Sequence, residues 1–127
     1  IRESIVSKLD PQIKKLHHSK LADALLNHDG AAPETIATHL EGADRFEQAG
    51  HYYCSAAKLA LQKLAFDRAE EFSKHAVRLA QSDEDKADAH ERLIHFYTDM
   101  ARFPEAYSQG REAAQHFGVS LPAGFVP

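Results

Sequence analysis

Residues Ala65–Ala80, AFDRAEEFSKHAVRLA, decide how the chain reads. Within them Phe66, Ala69 and Ala76 follow the pattern F-x2-A-x6-A, which returns at Phe103, Ala106 and Ala113 and, upstream, at Phe46, Ala49 and Ala56. Offsets of three, seven and ten fall on one helical face, because ten residues at ~100° each come to nearly three full turns. An aromatic and two alanines on one face predict a second helix lying very close. Alanine leaves room for the neighbouring backbone, and each Phe is expected to plug the end of a hairpin. The fold class that follows is all-α, with antiparallel helical hairpins stacked as a short superhelix of about seven helices.

Composition agrees. Of 127 residues, 43% are hydrophobic and 27% charged, with only 6 Gly, 5 Pro and no Trp, and the abundance of Ala, Leu, Glu, Lys and Gln favours helix. The length suits one domain able to bury about two-thirds of its unfolded surface. A formal charge of −4 gives no electrostatic reason to expect nucleic acid, which calls for a concentrated basic face. Cys54 stands alone, so no disulfide framework is expected, and a reducing, cytoplasmic setting is the simplest inference. No apolar run approaches ~18 residues, so no membrane span is expected. The chain begins at Ile1 rather than Met and reads as a piece of a longer protein, which leaves missing targeting signals with little weight.

Caps and breakers divide the chain. Ile5, Val6 and Leu9 suggest a short amphipathic helix within 1–9. Asp10 caps a second helix with Pro11 at its first position, running to about Asn27 with Ile13, Leu16, Leu21 and Leu25 leaning to one side. The stretch NHDGAAP, Asn27–Pro33, is the clearest breaker and a candidate subdomain boundary. Pro33 opens a third helix with Ile36, Ala37, Leu40 and Ala43 inward. The fourth, roughly Phe46 to Leu64, is rich in small residues, and the fifth is the opening stretch, with Phe72, Val77 and Leu79 on its buried face. Ser82–Asp85, SDED, is a loop and cap whose acids suit the positive end of the sixth helix. That helix is expected to bury Leu93, Phe96, Tyr97, Met100 and Ala101. The seventh carries the most regular stripe, Phe103, Ala106, Tyr107, Gly110, Ala113, Ala114 and Phe117, with Gly118 as a left-handed cap and an extended tail over 121–127.

The 37 residues from Phe66 to Phe103 lie close to the 34-residue period of tetratricopeptide repeats. Ala57 and Ile94, then Ala60 and Tyr97, fall where such repeats place core residues. The first interval, Phe46 to Phe66, is only 20 residues, so one long helix closes one hairpin and opens the next. The chain is therefore TPR-like rather than a regular array. The succession HHSKLADALL, PETIATHLEGADRFEQAGHYYCSAAKLAL, AFDRAEEFSKHAVRLA and ARFPEAYSQGREAAQHFGVSLP resembles the helical-repeat region of large bacterial multidomain signalling ATPases. Their relatives carry a kinase, nucleotide cyclase or transcription-factor domain elsewhere in the chain. The resemblance implies that 1–30 ends a helical linker and that 31–120 forms a non-catalytic sensor or docking arm. The phosphate-binding loop of such proteins is not in this sequence, so no ATPase activity and no cofactor are carried over.

Nine histidines raise the question of metal. His90 and His95 lie five residues apart, ~500° of rotation, so they point to different sides, whereas a zinc-binding helix presents His at i and i+4. His17 and His18 are adjacent. A metal site would need ligands from separate helices, and a His-containing metal-binding or sensor domain stands as the alternative reading. Asp83, Asp85 and Asp88 lack the turn Gly and closing Glu of a calcium loop and read as a capping cluster. Cys54, among Tyr53, Ala56 and Ala57, reads as a buried inert thiol, and Tyr52–Tyr53 as a seal on a helix contact. No GxSxG, GxGxxG or GxxxxGK[ST] is present.

What remains is a surface. In stacked hairpins the first helix of each pair lines a concave face. Matching the chain to the repeat places His51, Ser55, Lys58 and Gln62 there from one helix, and Asp88, Glu91, Arg92, His95, Thr98 and Asp99 from the next. Donors and acceptors of both signs suit a protein or peptide partner, or another domain of the same chain. A solvated face and a purely structural spacer are the plainer readings, and terminal stripes exposed by cutting offer a route to a homodimer.

Overall fold

A computed structural model describes residues 10–118. It contains six helices and, among the described residues, no strand: α1 Pro11–Leu26, α2 Pro33–Gly42, α3 Phe46–Gln62, α4 Phe66–Leu79, α5 Asp83–Asp99 and α6 Phe103–His116. The short helix expected before Asp10 and the extended tail lie outside the described residues. Starts follow local chemistry. The Gln12 N–H donates to the Asp10 carboxylate at 2.7 Å, Pro11 and Pro33 occupy first turns, and the Asp85 N–H donates to Ser82 Oγ at 3.0 Å.

The α2–α3, α3–α4 and α5–α6 junctions share one turn. The residue after each C-cap is left-handed: Asp44 (φ 59), Leu64 (φ 60) and Ala101 (φ 57). The next N–H reaches back to close the hairpin: Arg45 to Leu40 O at 2.9 Å, Ala65 to Ala60 O at 2.8 Å, Arg102 to Tyr97 O at 2.7 Å. These are Schellman closures made without glycine. The α4–α5 link differs, with Ala80 extended and Ser82 capping.

Neighbouring helices pack along their apolar faces, and polar links join every second helix. Arg45, at the start of α3, binds Asp23 of α1 at 2.8 Å. Arg68 and Arg78 of α4 bind Glu34 and Glu41 of α2. His51 of α3 meets Asp85 of α5 at 3.3 Å, and Arg102, leading into α6, binds Glu70 of α4 at 2.8 Å. Odd-numbered helices thus form one layer and even-numbered helices the other.

Alanine is the commonest core residue. Ala22, Ala37, Ala49 and Ala69 are fully buried, around Leu40, Leu93, Phe72, Phe96 and Tyr97. The small residues of α3 behave as expected: Ala49, Gly50, Ala56, Ala57 and Ala60 are all buried. Built onto Gly50, a Cβ would lie 3.6 Å from the Leu79 Cβ, so α3 and α4 approach closely.

Four expectations need correction. Phe46, Phe66 and Phe103 are 37%, 41% and 47% exposed. They are first-turn residues, whose side chains lean back over the helix end, and the backbone turn closes the hairpin rather than an aromatic plug. In α1 the inward residues are Ala22, Leu25 and Leu26, while Ile13, Leu16 and Leu21 are exposed. The α6 stripe has no fully buried residue, because within the described chain only α5 covers it to any extent. Ala101, expected in the core, is exposed at its left-handed turn.

Candidate groove between alternate helices

Helices α3 and α5 run side by side in parallel over α4, and their register is legible in the lining. Glu47 and His51 face Asp85; Ser55 and Lys58 face Asp88 and Arg92. Further along, Cys54, Lys58 and Leu61 face Arg92, His95 and Asp99. The floor is made of small side chains, Ala76 of α4 and Ala80 just beyond its end, with Gly50 and Ala89. Small residues here keep the trough open.

The trough holds two adjoining cavities of about 220 Å³ each, sharing Cys54, Lys58, Ala76, Ala89 and Arg92. One is mainly apolar, walled by Ala57, Leu61, Phe96 and Met100. The other is mainly polar. Small-molecule sites usually measure ~300–1,000 Å³, so each cavity is sized for a side chain rather than a whole metabolite.

Of the residues expected on this surface, His51, Ser55, Lys58, Asp88, Arg92, His95 and Asp99 line the trough. Gln62, Glu91 and Thr98 do not. Gln62 is exposed at the end of α3, Glu91 is exposed and lies 3.6 Å from His95, and Thr98 Oγ1 donates to Ile94 O. Glu47 goes unnoticed in the sequence and Asp85 reads there only as part of a capping cluster, because the two converge only through the packing of two helices far apart in sequence.

Burial pushes the Cys54 thiol up, against the pull of Arg92 and Lys58, consistent with an unreactive thiol. His90 is buried and its Nδ1 lies 3.3 Å from Gln109 Oε1, while His95 is exposed, so the two diverge as their spacing predicts. The acids at the start of α5 occupy its first turn beside the Ser82 cap. Tyr53 is buried against Phe72 and donates to Glu41 at 3.1 Å.

The largest carboxyl shift lies outside the trough. Glu70 is held at about 2 chiefly by its hydrogen bond to Arg102, helped by Tyr97 and Lys74 and opposed by burial. Burial and the Glu70 carboxylate push the Tyr97 hydroxyl up. Arg102 also lies over the Tyr97 ring at 4.8 Å. This knot braces α4, α5 and α6 and opens onto neither cavity.

Comparison with protein-family models, curated proteins and solved structures finds no match. No helix among the described residues is long and apolar enough to cross a membrane.

Proposed function

We propose that the chain is a non-catalytic, TPR-like interaction segment whose α3–α5 trough receives an extended peptide or a loop of another domain. The observation that supports it is an apolar cavity and a polar one set side by side, with Lys58 and Arg92 at their junction. An apolar side chain would fill the first, and an adjacent acidic group would meet the two cations. Binding by preformed shape spares the cost of ordering the receptor. The resemblance to signalling ATPases favours a partner protein or another part of the parent chain as occupant. The formal charge of −4, the lack of a long apolar run and the lone Cys54 are the grounds for a reading without nucleic acid or membrane and in a cytoplasmic setting. Binding that favours one arrangement of the parent would couple the trough to its output.

Selection of peptides on the immobilised chain tests this. Selected peptides should carry an apolar residue next to Asp or Glu, and Lys58→Glu with Arg92→Glu should weaken them about tenfold or more. Peptides indifferent to both reversals would return the chain to the role of a spacer.

A further inference from the structure

At the polar end of the trough, Glu47, His51 and Asp85 bring one ligand atom each to within 4.8 Å of one another. Glu47 and His51 are i and i+4 on α3, one above the other on a single face. Asp85 comes from the first turn of α5. Carboxylates in first turns are favoured by the helix dipole, which accounts for Glu47 and Asp85 singly. It does not account for an imidazole between them, with Nε2 3.3 Å from Asp85 Oδ1. Among the described residues the Glu47 carboxylate makes no hydrogen bond or ion pair.

We propose that Glu47, His51 and Asp85 bind one divalent transition-metal cation, of which zinc is the best-suited common ion. One imidazole and two carboxylates form a borderline-hard donor set that suits zinc and its first-row neighbours. Ligand atoms a few ångströms apart need only rotamer adjustments to reach metal distances of ~2.0–2.2 Å. The cation would replace the proton between the His51 ring and the Asp85 carboxylate. It would tie α3 directly to α5 and leave open coordination positions at the mouth of the trough. The i,i+4 pair Glu91–His95 has the same residue types but no third ligand, and serves as the internal control.

The experiment uses the whole chain, made without a histidine tag, stripped with chelator and titrated with Zn2+ and with Co2+. One equivalent of zinc per monomer should bind and raise Tm by several degrees, and Co2+ should give visible absorption. Affinity should fall at least about tenfold in His51→Ala and in Asp85→Asn and be unchanged in His95→Ala. These side chains are exposed or half-buried, and circular dichroism verifies that the variants fold. No binding below millimolar zinc would overturn the assignment. So would half an equivalent with dimer formation, or binding kept in His51→Ala but lost in His39→Ala, which would move the metal to the His18–His39 pair. None of these readouts depends on whether the trough binds peptide.

Discussion

Leu64 shows what a single residue contributes and costs. It sits at φ 60 and is 71% exposed, so it pays for a left-handed turn with little packing in return. A side chain there costs ~1–2 kcal/mol, partly offset by the greater unfolded freedom of glycine. Leu64→Gly should therefore stabilise the fold by about 0.5–1 kcal/mol, seen as a higher urea midpoint with an unchanged slope. Gly50 makes the opposite case. An added Cβ meets Leu79 at an ordinary 3.6 Å, so Gly50→Ala should gain roughly 0.5–1 kcal/mol of helix propensity. Ala69 is fully buried, and Ala69→Leu should cost about 1–3 kcal/mol by overpacking. Thermal melts of the two variants should move in opposite directions. Sequence made the buried alanines legible, because their spacing is periodic. It hid the turns, because Asp44, Leu64 and Ala101 are not the glycines by which such turns are recognised.

At the scale of the element, caps were the most readable feature. Asp10–Pro11, Pro33 and Ser82 fix helix starts through groups a few residues away, so local sequence suffices. Which face of a helix turns inward is a different matter. Leu16 and Leu21 suggested one face of α1, but α2 meets the other, through Ala22 and the His18 ring, which crowds Gly42. That choice belongs to the partner helix. The Glu70 knot offers a test of how elements are braced. Its carboxyl is depressed from 4.5 to about 2 in the fold, so its contribution is complete above about 4.5 and is lost as pH falls toward 2. Glu70→Gln should be less stable than the parent at pH 7, and the gap should close between those two values. Paired urea titrations across that range measure it, and a constant gap would show that Glu70 acts by packing alone.

Across the whole molecule, the two-layer order follows from tight turns and alternate-helix ion pairs, and it opens a trough between α3 and α5. Seven of the ten residues expected from repeat spacing line that trough, and the His51–Asp85 contact across it spans a 34-residue offset. The spacing missed Glu47 and Asp85 and overreached at Gln62, Glu91 and Thr98, because helix register rather than spacing decides which side chains turn inward. The decisive measurement is an amide-resonance map of the isotopically labelled chain titrated with a selected peptide. The account predicts shifts concentrated in 51–62, 73–80 and 85–100, with α1 and α6 quiet. Shifts centred on the exposed faces of α1 or α6, with the trough unmoved, would contradict it.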